Sequence, residues 1–240
     1  MKKTFILLSI ATIGAMTFTG CKKKGCTDSS ATNYNSEAKK DDASCVYSPT
    51  ITIIGAVDTT VNVGSTYNDP GATAVNKDGS AVDVIVEQLA DSVNTGTTGV
   101  YYVNYKATNS NGSATAKRKV NVIIGKDNWL ATWEVTSNCG ATSFPLSGSP
   151  AVTSGSNANE LVIDNMFTLL GGTAYATFSG ANISMAEQTI PITGGEIIFS
   201  GNGTMTATGN IININYTYDN TITIPFIGGQ GTCVATYTKI

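Results

Sequence analysis

The chain has 240 residues, of which 25 are glycine, 41% are hydrophobic and only 13% are charged, and its formal net charge is −3. It has no histidine, and Arg118 is its only arginine. These counts exclude Ser-His-Asp and Cys-His catalysis, histidine-ligated zinc and bidentate arginine clamps on phosphate, and the acidic balance argues against nucleic acid as a partner.

A chain of this length forms one large domain or two small ones. Low charge with abundant Gly, Thr, Ser and Asn is the profile of a turn-rich, all-β, secreted protein. Residues 1–20 read as a signal peptide: Lys2 and Lys3 precede an apolar run from Phe5 to Met16, and small residues follow. That run is too short for a comfortable span of ~20 residues. The segment Phe18-Thr19-Gly20-Cys21 resembles a bacterial lipobox, with Phe18 where leucine is usual. The resemblance implies cleavage before Cys21 and acylation of its thiol, so that the protein's first partner is a membrane held through acyl chains. Lys22, Lys23 and Lys24 would then lie at the headgroups. No aspartate follows Cys21 directly, which points to the outer rather than the inner membrane and leaves the face open.

There are five cysteines. Setting Cys21 aside leaves Cys26, Cys45, Cys139 and Cys233, an even number that suits an oxidising compartment and allows three pairings. Cys26 with Cys45 and Cys139 with Cys233 is preferred, because each pair then stays inside one predicted module. No C-x-x-C occurs, which argues against a redox enzyme or a zinc knuckle.

Residues 21–48 form a short, polar, cysteine-bounded module. From Gly25 to Cys45 it resembles a GCTD-x-x-A-x-NYN-x-x-A-x-x-DD-x-SC segment common in surface proteins of the Bacteroidetes. It is too small for a core, so a disulfide must constrain it, at ~3 kcal/mol for a loop of this size. Asp28, Asn33, Asn35, Asp41 and Asp42 have two readings: oxygen ligands for a structural calcium ion, or turn formers. The missing bidentate glutamate at a fixed spacing weighs toward turns. No other cofactor is expected.

Residues 49–125 carry strand-like runs at 50–54, 59–63, 72–75, 82–89, 100–108 and 113–124. Turns are expected at Asn68-Asp69-Pro70-Gly71, Lys77-Asp78-Gly79 and Asn109-Ser110-Asn111-Gly112, the last a hairpin signal. Strands about every ten residues imply a sandwich of immunoglobulin size. The segments 64–74, 98–109 and 111–116 resemble the bacterial Ig-like domain found in a pesticidal crystal protein and in many cell-surface proteins. The resemblance implies a spacer or adhesive module with no catalytic position. Asp69 and Asp78 read as turn formers rather than as a metal pair.

The last module, residues 126–240, holds six carboxylates against Lys239 alone from residue 128 onward, and suggests short strands at 131–137, 160–164, 173–178, 182–185, 188–192, 196–200, 203–208, 211–218 and 232–238. Glycine-bearing turns between them make consecutive strands antiparallel neighbours, and such a meander can close into a barrel. The opening Trp129-Leu130-Ala131-Thr132-Trp133 resembles the L-x-G-x-W start of lipocalin-like proteins, with Ala131 in the glycine's place. The fold class expected is therefore all-β: an Ig-like sandwich followed by an antiparallel, lipocalin-like barrel. A Cys139–Cys233 bridge would staple the seam between first and last strands.

No pair of carboxylates stands in a glycosidase pattern and no Walker-type loop occurs, so no enzyme is expected. Three roles remain. The barrel can bind a small apolar or glycan ligand, with Trp129, Trp133, Phe167, Tyr175, Phe178, Phe199, Tyr216, Tyr218, Phe226 and Tyr237 either lining a pocket or filling the core. Both β modules can act in adhesion with no small-molecule pocket. Exposed aromatics on a sheet face would make the protein a glycan-binding accessory.

Overall fold

Alternation of apolar and polar residues builds nearly all of the secondary structure. The computed structural model describes residues 22–87, 93–139, 146–167, 170–220 and 229–240. The expected signal peptide, Cys21 and Phe226 lie outside them. Among the described residues, no helix is long and apolar enough to cross a membrane.

The first β region holds β1 (Thr50–Ile53), β2 (Asp58–Asn62), β3 (Ala72–Val75), β4 (Ala81–Val82), β5 (Val84–Val86), β6 (Gly99–Asn109) and β7 (Gly112–Ile123). They form a three-stranded sheet β1-β3-β4 and a four-stranded sheet β2-β7-β6-β5, in which β2 runs parallel to β7. Val103, Tyr105, Val120 and Val122 turn inward from β6 and β7 and are buried. The single strand expected at 82–89 is two: the chain changes sheets at Asp83, so β4 and β5 belong to opposite layers.

Arg118 lies in the midst of this apolar alternation and is 1% exposed. Its Nε donates to Asp69 Oδ1 at 2.9 Å and to the Tyr105 hydroxyl at 3.1 Å. Its Nη2 donates to the carbonyls of Ile54 (2.7 Å) and Gly71 (3.1 Å), and Nη1 to that of Ala56. Tyr67 and Tyr105 both donate to Asp69. A buried cation is tolerable only when paired and bonded in this way. Asp69 is thus more than a turn former, whereas Asp78 makes an Asx turn with Ser80 (N–H 3.0 Å, Oγ 2.6 Å).

The β6–β7 hairpin turns through Ser110 and Asn111, one residue earlier than an Asn-Gly centre would place it. The reason is that Asn109 is engaged elsewhere. Its Nδ2 donates to Tyr47 O (2.9 Å) and Asn76 Oδ1 (2.8 Å), which fastens the small module to the sandwich. Gly112 sits at φ +151°, and a Cβ there would stand 2.6 Å from Ser48 Oγ. Within the module Cys26 and Cys45 are bridged, with Cα atoms 4.8 Å apart.

After Gly125 the chain forms one helical turn, α1 (Lys126–Trp129). The strands β8 (Ala131–Ser137), β9 (Ala151–Ser154), β10 (Glu160–Asp164), β11 (Thr173–Ser179), β12 (Asn182–Ile192), β13 (Gly195–Met205), β14 (Ile211–Asn220) and β15 (Gly229–Lys239) follow. Each pairs antiparallel with the next, and β15 pairs with β8, so the eight close into an up-and-down barrel. Cys139, just after β8, is bridged to Cys233 in β15 with Cα atoms 5.5 Å apart.

Three sequence expectations change here. The runs expected at 182–185 and 188–192 are one strand, β12, interrupted by a bulge that sets Ala186 and Glu187 against Ser200. The runs at 196–200 and 203–208 are likewise one strand, β13. Gly201-Asn202-Gly203 is no turn, because β14 passes so close that a Cβ on Gly203 would lie 2.2 Å from Asn213 O. The short strand β9 had no visible alternation and was missed.

The two β regions are joined by more than a linker. Asn128, 7% exposed, donates from Nδ2 to Val63 O at 2.8 Å and accepts from Gly125 N at 3.0 Å. Thr98 N donates to Ala207 O at 2.9 Å, and the β13–β14 turn packs Gly209 against Val63 and Ile124. β8, β10 and β14 run away from this joint and finish at the opposite end of the barrel.

Candidate functional site

The barrel interior is filled by its own side chains. Trp129, Trp133, Phe167, Phe199, Tyr216, Tyr218 and Tyr237 are all buried, and Phe178 is half-buried. Phe199 stacks on Tyr216 with centroids 5.3 Å apart, Phe167 meets Phe199 edge-on at 5.8 Å, and Trp129 lies 6.0 Å from Phe178. Of the two readings of the aromatic set, these members form core. Tyr216 donates to Cys139 Sγ (3.1 Å) and accepts from Leu146 N (3.4 Å), so its hydroxyl is satisfied beneath the disulfide. Burial pushes the Tyr216 and Tyr237 phenols above their ordinary range.

Tyr175 is the exception, at 56% exposure. It stands in β11 between Thr173 and Thr177 on the outward register, while Ala174 and Ala176 face the core. Beside it the barrel wall changes character. β11 pairs with β12 through Thr177–Ser179 opposite Asn182–Ser184, and the described ladder stops there. In its place the Gln188 side chain acts as a peptide group. Its Oε1 accepts from Tyr175 N at 2.9 Å, and its Nε2 donates to Tyr175 O at 2.8 Å. The bulge residues Ala186 and Glu187 bring Gln188 to this position.

Shallow hollows flank the place. One of about 270 Å³ is lined by Glu160, Tyr175, Ser184, Glu187 and Gln188, among others. A second, of about 400 Å³, lies on the other side of Tyr175 and Gln188 against Thr173 and Pro191. Glu187 also borders a hollow of about 460 Å³ over β13–β15, with Ser200, Thr217, Asp219, Gln230 and Thr232. No lysine or arginine lines any of the three. Sequence reasoning named Tyr175 without separating it from the core aromatics, and it missed Gln188, whose role depends on a bulge.

The five residues weighed as calcium ligands each bond to the chain itself. Asp28 accepts from Ser30 N (2.9 Å), Ser30 Oγ (2.7 Å) and the Tyr47 hydroxyl (2.8 Å). These bonds, Ser30's first, hold its carboxyl down at about 2. Asn33 bridges Ser44 O and Val46 N, Asn35 accepts from Glu37 N, Asp41 from Ala43 N and Asp42 from Ser44 N. Among the described residues no group of three or more Cys, Asp or Glu is placed to hold a metal ion.

Residues 51–122 match the family of bacterial surface protein Ig-like domains, so the sandwich is an Ig-like domain of that kind. No curated protein matches the chain in sequence. Among solved structures, the chain is similar to the lipoprotein BT2262 from Bacteroides thetaiotaomicron, at 15% identity and a TM-score of 0.31 over 80% of this chain and 100% of that one. It is also similar to the CBM51-2 and INT domains of Clostridium perfringens ZmpB, solved with GlcNAc, at 14% identity and a TM-score of 0.26 over 79% of this chain and 43% of that one.

Proposed function

We propose that this is a lipid-anchored protein of the bacterial cell envelope that binds its partner through the outside of its barrel. In this reading the signal peptide is removed, Cys21 is acylated and inserted in the outer membrane, and the disulfide module and Ig-like domain act as the spacer. The bonds from Asn109 to Tyr47 and from Asn128 to Val63 support a spacer that holds the barrel at a fixed angle. The observation that carries the reading is the filled barrel. With Trp133, Phe199, Tyr216 and Tyr237 packed across the interior, binding falls to the outer wall.

The reading is one of binding, not catalysis. The barrel carboxylates Glu134, Glu187, Glu196 and Asp219 are exposed and Glu160 and Asp164 half-buried, all on outward positions where the hollows are shallow. The Asx residues of the small module are read as turn formers, without calcium.

Labelling the full chain in its native host with a palmitate analogue tests the anchor. Incorporation into the envelope fraction that is abolished by Cys21→Ser, with release of the variant into the soluble fraction, is expected. Unlabelled protein in the soluble fraction would overturn the proposal. Protease shaving of intact cells assigns the membrane face.

A further inference from the structure

We infer that the wall around Tyr175 is a carbohydrate site for a linear, neutral polysaccharide, laid across the β11–β12 seam. The inference rests on the reading that binding occurs outside the barrel. Four observations carry it.

The first is the ring itself. Of the described aromatic side chains in the barrel, Tyr175 alone is exposed, and an exposed phenol offers a flat apolar face with a polar edge. A pyranose ring is complementary to that: its axial C–H groups make one apolar face, and its hydroxyls form a polar rim. The second is the setting. A hollow lies on either side of the ring, of about 270 and 400 Å³, so a chain stacked on Tyr175 has room for a sugar unit before and after it.

The third is the chemistry of the rim. Glu160 and Glu187 are acceptors for sugar hydroxyls, Ser184 can donate or accept, and Thr173, whose hydroxyl donates to Asp164 at 3.2 Å, can accept. A few convergent polar groups around an apolar contact are what orient a ligand. With carboxylates present and no lysine or arginine lining either hollow, an anionic glycan would be repelled. The fourth is rigidity. Gln188 clamps both backbone groups of Tyr175, at 2.9 and 2.8 Å, so the ring is presented from a fixed point. Gln188 is therefore a positioning residue for Tyr175, and preorganisation of this kind lowers the cost of binding.

Native gels of the full chain in Triton X-100, cast with hydroxyethylcellulose, laminarin, glucomannan, xylan or anionic polygalacturonate, test the site. Retardation by at least one of the neutral polymers and none by polygalacturonate is expected. Tyr175→Ala should weaken that retardation at least tenfold, and Gln188→Ala several-fold. Tyr102→Ala, which removes an exposed tyrosine of the Ig-like domain, should leave it unchanged. Unchanged fluorescence from the buried Trp129 and Trp133 shows that each variant is folded. No retardation by any neutral polymer, equal retardation of Tyr175→Ala, or binding to polygalacturonate alone would overturn the inference. A chain that is acylated but not retarded loses this site and keeps its anchor; a chain that is retarded but not acylated does the reverse.

Discussion

The Ig-like domain and the barrel are both built of β-sheet and hold it in opposite ways. The domain places a charge at its centre: Arg118 gathers Asp69, Tyr105 and three backbone carbonyls from the β1–β2 and β3 approaches. The barrel places aromatic rings at its centre and a covalent bridge across its seam. A polar hub fixes loop positions, because every carbonyl it caps must stay in reach. An apolar core fixes volume, and leaves the outer wall free to carry other groups. The two regions should therefore fail under different insults.

The sharpest test is expected at the seam. Replacing Cys139 and Cys233 together by serine should cost about 4–5 kcal/mol on the chain-entropy model for so long a loop. Guanidinium unfolding followed by Trp129 and Trp133 reads the barrel selectively, since the chain's two tryptophans both lie there. Hydrogen exchange in β6 and β7 should not move. The converse is Arg118→Met, which strands Asp69 and should cost the domain about 3–5 kcal/mol, read by exchange in β6 and β7 while the tryptophan transition holds. Adding Asp69→Leu should recover only part of that, because the carbonyls of Ile54, Ala56 and Gly71 stay uncapped. Full recovery would show that the ion pair alone mattered.

A smaller effect is expected from Gly203→Ala, about 1–3 kcal/mol, because the new methyl group meets the backbone of β14 and not a movable side chain. A cost confined to the barrel sharpens the comparison; a cost in the domain would mean that the Asn128 joint couples the two.

The smallest effects are in pH. Asp28 is held at about 2, against 3.8 in an unfolded chain, so its contribution is complete above pH 4 and is lost as pH falls from about 4 to 2. Tyr67 is pushed up to about 12 by burial and by the Asp69 carboxylate, so its contribution is complete below pH 10 and is lost between pH 10 and about 12. Acid should thus loosen the small module and alkali the Ig-like domain, each visible in amide exchange.

Much of this architecture is legible in the sequence, and the reasons are local. Period-two alternation in Tyr101-x-Val103-x-Tyr105 and in Ile212-x-Ile214-x-Tyr216 sets both a strand and its inner face. The same rule, applied to Thr173-Ala174-Tyr175-Ala176-Thr177, places Tyr175 outside, and a count of aromatics as one set hides it. What was illegible depends on contacts between distant segments. Gly201 and Gly203 look like a turn because only the nearness of β14 explains a glycine in mid-strand. Asn109 looks like part of a hairpin because only the docked module explains its bonds. Arg118 gave a signal that composition carried and pattern-reading passed over: the lone arginine alternates in register with Val120 and Val122, so it has to find its partners inside.

The β15–β8 pairing also sets an order of events in the life of the chain. The two cysteines at the seam are 94 residues apart, and β15, which completes the barrel, is the last of its eight strands to be made. Until it arrives, β8 presents an unpaired edge beside two large indole rings, a surface prone to association. The Ig-like domain and small module take no strand from downstream, only the joint contacts of Val63 and Thr98 with Asn128 and Ala207. A nascent copy is therefore half-built until the barrel is complete: a sandwich with all its strands, trailing an open sheet that only the arrival of β15 closes.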